Sequence, residues 1–302
     1  MTELVETQNQ NEVLKCLNVD RDKLDHYTNL FSKWIASQKH LPQNMTEAGR
    51  KKFLIWAKLD FEKAKKKFQN FCYNPLTHKE FSCGRALRYE DDINRAFEFL
   101  YLIPMPKLTP EAARVSCVKL FNCDHFDALT MARYVTVHME FKVRIENLVT
   151  GERVVFDMEC MKPHHYAKIF TPTFLKLFKF SAVHHPFAIK DFFVVNCHPL
   201  LEKGVGLMKA VLPRKIADRV AILSDPKDLN KRIPPECLPK DYGGTEKSLD
   251  DFQCLWKKYW LSHKDYYVEL ERYKPSGSVP EEFKDYENEF GLDGSFRKLN
   301  ID

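Results

Sequence analysis

The first part of the chain has the apolar spacing of helices. From residue 12 to residue 75, apolar side chains recur at three- and four-residue steps, and glycine and proline are rare. Phe61, Phe68 and Phe71 illustrate the pattern, because this spacing places them on one face of a helix while the lysines between them spread over the others. Pro75 marks the end of the pattern. We expect a small helical domain over residues 12–75.

The apolar pattern changes in the middle of the chain. Pro104, Pro106 and Pro110 predict a rigid approach to a series of short apolar runs, which alternate with longer helical segments. This alternation predicts an α/β domain over residues 83–270 with a mostly parallel sheet, followed by a polar, acidic tail over residues 271–302. The predicted strands are 114–121, 153–157, 191–196 and 219–223, and the predicted helices are 126–146, 166–180 and 249–272.

Composition limits where the chain is expected to act. Its apolar runs are shorter than the roughly 18 to 20 residues that a bilayer span requires, and the polar start over residues 1–12 predicts no secretory signal. The 9 cysteines are scattered and never spaced as Cys-x-x-Cys, which favours reduced thiols. We therefore expect a cytoplasmic protein.

The charge balance indicates a class of partner. The net charge of +5 suits an anionic membrane surface as well as a nucleic acid. The sequence contains no zinc knuckle, no aromatic ribonucleoprotein motif and no glycine-rich basic tract. We expect peripheral association with a membrane surface and no binding of nucleic acid.

Motifs for catalysis and for metal binding are missing from the sequence. It has no phosphate-binding glycine loop, no nucleophile elbow and no zinc-protease motif. The pairs His164-His165 and His184-His185 are adjacent, so on a helix their rings would point to different faces, which is a poor arrangement for chelation. The sequence therefore predicts no catalytic residue, no metal and no cofactor.

The segment from residue 186 to residue 244 has the most distinctive order of elements. A strand leads through Pro199 into an apolar helix over residues 200–212, and a basic turn, another strand and a Leu-Pro-Lys-Asp-Tyr-Gly-Gly loop at 238–244 follow. Four apolar residues share one face of the helix, which by pattern alone indicates a helix packed on a sheet. They are Leu201, Val205, Met208 and Leu212.

This order of elements resembles the CRAL-TRIO (Sec14-like) family, and the loop at 238–244 is similar to its most distinctive motif. Within the family the chain looks most like the tocopherol-transfer and retinaldehyde-binding branch. The resemblance implies an N-terminal helical domain, then a CRAL-TRIO domain whose sheet and helical walls enclose an apolar pocket. It also implies that the helix over 200–212 is a mobile gate. Cys160 departs from the pattern, because many members have glycine there, and this predicts a different local turn.

The resemblance places a set of apolar side chains at the pocket, although periodicity does not distinguish packing on protein from packing on a ligand. Tyr134 and His138 lie four residues apart on the predicted central helix and are candidates for a polar contact with the ligand. The other predicted ligand contacts are Phe170, Phe174, Leu177, Phe178, Val183, Phe187, Phe193, Val195, Leu201, Val205, Met208 and Leu212.

Basic residues beside the predicted gate resemble those that contact phosphoinositide head groups in some members of the family. Lys190, Lys215 and Arg219 match such positions, whereas Ala57 and Ala188 stand where the branch can carry a basic residue. Phosphoinositide binding is therefore supported at three positions and unsupported at two.

We expect a monomeric carrier that binds one hydrophobic, lipid-like molecule and transfers it between membranes. The sequence leaves tocopherol, retinoid, carotenoid, sterol-like and phospholipid ligands open. An enzyme that acts on a hydrophobic substrate and a scaffold that has lost its ligand are the alternatives, because a fold alone does not guarantee a function.

Overall fold

The computed structural model describes residue 4, residues 10–184 and residues 186–281, apart from the side chains of residues 10 and 182–184. The helices are α1 (Gln10–Cys16), α2 (Arg21–Ser37), α3 (Glu47–Trp56), α4 (Phe61–Thr77), α5 (Lys79–Ser82), α6 (Arg85–Ala96), α7 (Ala128–Arg144), α8 (Tyr166–Ile169), α9 (Pro172–His184), α10 (Glu202–Ala210), α11 (Arg214–Ala217), α12 (Leu249–Ser262) and α13 (Lys264–Leu270). The strands are β1 (Leu100–Leu108), β2 (Arg114–Leu120), β3 (Glu152–Asp157), β4 (Ile189–Val195) and β5 (Val220–Leu223).

The five strands form one sheet in the order β1-β2-β3-β4-β5. β1 pairs antiparallel with β2, whereas the three other neighbouring pairs are parallel. Helices connect the parallel strands, as crossover connections require. The predicted α/β fold with a mostly parallel sheet is therefore confirmed.

The proline-rich segment before β2 differs from the prediction, because it contains a strand. β1 includes both Pro104 and Pro106, and its register with β2 shifts between Pro104 and Leu108. Proline lacks the N–H that a ladder needs, so it is tolerated at a sheet edge. The prediction of a rigid approach without a strand is wrong, and this strand forms one edge of the sheet.

Several helix boundaries also differ from the predicted ones. Pro75 lies within the last turn of α4 instead of ending the helical pattern. The predicted helix over 249–272 is two helices, α12 and α13, which meet at His263. The predicted gate begins as a short 3-10 helix over Pro199–Leu201 and continues as α10.

Helices α7 and α9 pack against each other on one face of the sheet. Short 3-10 helices between residues 226 and 242 lie on the opposite face, where the Arg232 guanidinium stands 5.8 Å from the Phe193 ring centroid. With both faces covered, the central strands are buried on both sides, as is typical of parallel sheets.

The Leu-Pro-Lys-Asp-Tyr-Gly-Gly loop needs its two glycines for different reasons. Gly243 has φ +75°, in the left-handed region that favours glycine. Gly244 runs so close to the backbone of Leu238 that a Cβ atom there would overlap its carbonyl group. The loop therefore tolerates little substitution at either position.

The N-terminal helices attach to the end of the sheet where the parallel strands begin. Lys52 of α3 donates to the carbonyls of Lys142 and Val143, both across 3.0 Å. Trp56 Nε1 donates to the Val149 carbonyl across 3.1 Å. Because these donors belong to α3 and the acceptors to the end of α7 and the loop before β3, they fix the helical bundle against the sheet.

The described residues contain two main hydrophobic clusters. One is formed mostly by α1 to α4, and the other by the sheet and the helices around it. The first cluster includes Leu108, Val143 and Phe187, so the two clusters meet at the start of the parallel strands. The domain boundaries at 75 and 83 stay predictions, and residues 282–302 of the predicted tail lie outside the described residues.

Candidate functional site

An apolar cavity lies between the sheet and the two helices α7 and α9. It contains about 850 Å³ of space unoccupied by protein atoms, part of which is continuous with solvent. The part that the centre of a water molecule can reach is about 100 Å³. The lining of apolar and aromatic side chains is typical of small-molecule sites.

The sheet supplies one wall through alternate residues of its strands. Ser116 and Val118 of β2 are in register with Val154 and Phe156 of β3, and Val154 is in register with Phe192 of β4. Because side chains alternate across a strand, these residues share one face. The sheet residues at the cavity are Leu102, Ser116, Val118, Glu152, Val154, Phe156, Ile189 and Phe192.

The helices supply the opposite wall. On α7 the cavity residues are spaced at four, three and four positions, so they lie on one helix face. The segment after α10 closes the cavity with Leu212 and Ile216. The helix residues at the cavity are Met131, Val135, His138 and Lys142 of α7, and Phe174, Leu177, Phe178 and Ser181 of α9.

One end of this otherwise apolar cavity carries charge. Lys142 forms an ion pair with Glu152, and the two side chains are 2% and 4% exposed. Ser116 Oγ donates to Glu152 Oε1 across 3.1 Å. Since Ser116 and Glu152 lie near the starts of β2 and β3, this polar group marks the end of the cavity where the parallel strands begin.

The ion pair belongs to a larger buried network. Glu146 accepts from Arg114 Nε across 2.6 Å and lies 3.4 Å from Lys142 Nζ. Burial raises the pKa of Glu152, whereas Lys142 and Arg114 outweigh burial at Glu146 and lower its pKa. Burial also lowers the pKa of Lys52 to about 8. Four of these charges lie beside an opposite charge, as buried charges require: Arg114, Lys142, Glu146 and Glu152. The Lys52 ammonium donates instead to main-chain carbonyls.

Five of the predicted ligand contacts lie at the cavity. They belong to α7, to α9 and to the segment just after α10, where the family resemblance places the pocket wall. They are His138, Phe174, Leu177, Phe178 and Leu212.

Tyr134, Phe170 and Phe187 pack elsewhere. The Tyr134 hydroxyl accepts a hydrogen bond from Trp260 Nε1 across 2.9 Å, and so it faces α12. The Phe170 ring lies against Gly204, and a Cβ atom at position 204 would overlap that ring. Phe187 packs on Trp56 of the N-terminal bundle, with ring centroids 5.6 Å apart.

Phe193 and Val195 lie on the face of the sheet opposite the cavity. Phe193 is in register with Val155, and each of them follows directly after a cavity residue, Phe192 or Val154. Because side chains alternate along a strand, Phe193 and Val155 face the other side of the sheet. Both faces of β4 are apolar, so the sequence offers no polar alternation that would identify the cavity side. Val183 belongs to α9, and its side chain lies outside the described residues.

Most of the apolar face of the predicted gate is buried away from the cavity. Leu201, Val205 and Met208 are each 1% exposed. They belong to the hydrophobic core, and α10 packs on α9. Of the four residues of that face, only Leu212, at the end of the segment, lies at the cavity.

Sequence reasoning missed the whole sheet side of the cavity. Val154, Phe156 and Phe192 follow the two-residue period of strands, which could have identified them once the buried face was known. Lys142 and Glu152 carried no such signal, because charged residues in a helix and at a strand start are usually exposed.

The predicted basic residues differ in their surroundings. Lys190 Nζ donates to Thr150 Oγ1 across 2.6 Å, and Arg219 donates to the Ile189 carbonyl. Lys215 is exposed. Burial and the neighbouring Lys215 lower the pKa of Lys67 on α4, which indicates that the bundle brings a further cation to this region.

Within the described residues no helix is long and apolar enough to span a bilayer. The same residues hold no group of three or more His, Cys, Asp or Glu side chains arranged for a metal ion. All 9 cysteines lie in the described part of the chain, and each is a free thiol. Cys160 Sγ accepts from the main-chain N–H of Cys123 across 3.3 Å.

The cavity, the sheet and the loop at 238–244 fall within the match to a family model. Residues 101–244 match the model described as the CRAL/TRIO domain. This chain therefore contains a CRAL/TRIO domain. The resemblance drawn from the sequence is confirmed, and the domain runs from β1 to the two glycines of the loop.

Curated relatives of the CRAL/TRIO chain carry the name alpha-tocopherol transfer protein-like. The one from Mus musculus is 25% identical over 238 residues, which are 76% of this chain and 66% of that protein. Those from Homo sapiens and Pongo abelii are 38% identical over 85 residues, which are 28% of this chain and 24% of each relative. The chain thus spans less than two thirds of the length of these relatives.

A solved structure, the crystal structure of Sfh5, covers 81% of this chain and 99% of its own, at 12% identity and a TM-score of 0.46. CRAL-TRIO proteins are lipid-binding and lipid-transfer proteins that bind hydrophobic small molecules, and they are generally carriers rather than enzymes.

Proposed function

We propose that this CRAL/TRIO chain binds one hydrophobic, lipid-like molecule in the cavity between the sheet and helices α7 and α9, and transfers it between membranes. The cavity itself carries the proposal. Its wall is almost wholly apolar, with aromatic side chains from both the sheet and α9. Contact with such a wall stabilises an apolar ligand by roughly 25 cal/mol for each Å² removed from water.

Ligand exchange needs an opening, and we propose that α10 and the segment after it provide it. Leu212 and Ile216 border the cavity at this segment. The apolar face of α10 is buried here, and the same face would be stabilised in a membrane interface. A membrane would then shift the population between a closed and an open position.

We propose that the basic residues beside this segment hold the protein on an anionic membrane surface. Lys215 is exposed and lies close to Lys67, which supports a local concentration of positive charge. Each basic residue near an anionic surface contributes about 1 kcal/mol. Lys190 and Arg219 each donate a hydrogen bond within the protein, so we assign them a smaller share. In the more specific version of this proposal, the same basic residues bind phosphoinositide head groups.

The test is to purify the full chain and identify co-purified apolar molecules by native mass spectrometry and solvent extraction. We expect one apolar molecule for each protein chain. Tocopherol, retinoid, carotenoid and phospholipid standards in neutral vesicles then test uptake, and a second vesicle population tests transfer. A protein that carries no apolar molecule and takes up none of the four classes would contradict the proposal and favour a ligand-free scaffold. Chemical conversion of a bound standard would favour an enzyme.

A further inference from the structure

The charged end of the cavity has no role in binding a purely apolar ligand. Lys142 and Glu152 are buried and both line the cavity, and Ser116 lies beside them. A buried ion pair is weak support for stability, because its desolvation cost offsets the attraction of the charges. Replacing a buried ion pair by well-packed apolar residues of similar volume is often neutral or stabilising. Stabilisation of the fold therefore does not account for this ion pair.

The three side chains line the cavity and together offer both donors and acceptors. A lysine ammonium has three donors, and a carboxylate accepts at about four positions. Ser116 Oγ uses its proton on Glu152, so its lone pairs remain as acceptors. The other charged members of the network, Arg114 and Glu146, pair with each other away from the cavity lining.

We propose that this polar end binds the hydroxyl group of an otherwise apolar ligand, an inference that rests on the proposed function. A hydroxyl donates to Glu152 and accepts from Lys142, and so it matches both charges without adding a third. A ligand carboxylate would be repelled by Glu152, and a ligand amine would be repelled by Lys142. The alcohol end of the ligand then lies where the parallel strands begin, and its apolar part extends toward Met131 and Phe174.

The test uses three isotope-labelled probes that differ mainly at one end: oleyl alcohol, oleic acid and the unsubstituted hydrocarbon of the same chain length. Each probe is equilibrated between neutral phosphatidylcholine vesicles and the full chain. The proteins are the wild type, a Lys142→Met, Glu152→Leu double variant, and a matched control, Arg144→Met with Glu140→Leu. The control also removes an ion pair from α7, but neither residue borders the cavity.

We expect the double variant to lose the preference for alcohol over hydrocarbon by at least about tenfold relative to the wild type, as expected for a hydrogen bond to a charged group. Its uptake of the hydrocarbon should persist, and the control should keep the wild-type preference. The ratio of alcohol uptake to hydrocarbon uptake is compared between proteins, because the vesicles' own preference for one probe is then the same in every ratio. An alcohol preference unchanged by the double variant would overturn the hydroxyl site and leave the proposed function standing. Failure of every protein to take up any probe would count against the proposed function itself.

A preference of the wild type for oleic acid that the double variant loses would also overturn the hydroxyl assignment, in favour of an anion site. A second measurement on the wild type applies even if the double variant does not fold. An oleyl alcohol with a diazirine beside the hydroxyl carbon should label the peptides around Lys142 and Glu152. Labelling of the peptides around Met131 and Phe174 instead would place the hydroxyl at the opposite end and contradict the proposal.

Discussion

The hydroxyl of Tyr242 donates a hydrogen bond to Asp157 Oδ2 across 2.9 Å and ties the loop over 238–244 to the end of β3. Asp157 is 1% exposed, and its other oxygen accepts from Asn196 Nδ2, also across 2.9 Å. The tyrosine of the motif thus satisfies a buried carboxylate that also holds the start of the segment leading to α10. Burial and the neighbouring negative charge raise the pKa of Tyr242, so it remains a donor at neutral pH.

Removing this hydroxyl should destabilise the protein. We expect Tyr242→Phe to lower the free energy of unfolding by about 1 to 3 kcal/mol, because a buried carboxylate loses a donor. Tyr273→Phe is the control, since Tyr273 is 42% exposed and should change stability by less than about 0.5 kcal/mol. Urea unfolding of both variants checks the prediction, which fails if the two curves coincide.

Filling the cavity should reduce ligand binding without unfolding the protein. Val154 borders the cavity, whereas the next residue, Val155, is fully buried on the opposite face of the sheet. We expect Val154→Phe to lower the bound apolar molecule measured by native mass spectrometry while changing stability by less than about 1 kcal/mol. Val155→Phe should cost about 1 to 3 kcal/mol, because Val155 is fully buried in the hydrophobic core and a larger side chain would overpack it. Equal ligand occupancy in Val154→Phe and the wild type would argue that the cavity is not the binding site.

Two glycines of α10 provide a matched test of the gate. A Cβ atom at Gly204 would overlap the Phe170 ring, whereas a Cβ atom at Gly206 meets no atom within 4 Å. We expect Gly204→Ala to displace α10 from Phe170, which lies just before α9, and to accelerate release of a bound apolar probe to vesicles. Gly206→Ala should retain the wild-type release rate and stabilise the helix by up to about 1 kcal/mol. If both variants release the probe at the wild-type rate, α10 does not control exchange.

Membrane binding should depend on Lys215. We expect Lys215→Ala to weaken binding to anionic vesicles about fivefold at low salt, which corresponds to about 1 kcal/mol for one basic residue. The loss should shrink at high ionic strength, because salt screens exposed charges. Lys258→Ala on α12 is the control, since α12 packs near β1 at the other edge of the sheet. Vesicle sedimentation measures both, and an equal effect of the two variants would indicate a general charge effect.

Acid should destabilise the protein through His78. Burial, followed by the nearby Lys176 and Lys179, lowers the pKa of His78 from 6.5 to about 4. Between these values the unfolded chain binds the proton and the folded one does not, so stability is full above pH 6.5 and is lost as pH falls toward 4. The expected loss from this group between pH 7 and pH 5 is about 2 kcal/mol. His78→Gln should flatten the pH dependence of urea unfolding, and an unchanged slope would exclude His78 as its source.

The sequence by itself determined the class of fold and the order of its elements. The spacing of Phe61, Phe68 and Phe71 indicates a helix face, and the alternation of apolar runs with helices indicates a mostly parallel sheet, because both periods depend only on local geometry. The loop at 238–244 was equally informative, since Gly243 and Gly244 meet backbone requirements that no other residue meets as well.

Only the tertiary structure decided which residues meet at the cavity. Phe192 and Phe193 are both buried, and the sequence does not show which of them faces α7 and α9, because both faces of β4 are covered. The pairing of Lys142 with Glu152 joins a helix end to a strand start, and it forms only when the crossover after β2 brings α7 back onto the sheet. Such contacts depend on how elements pack rather than on local periodicity, and for that reason the charged end of the cavity was not visible in the sequence.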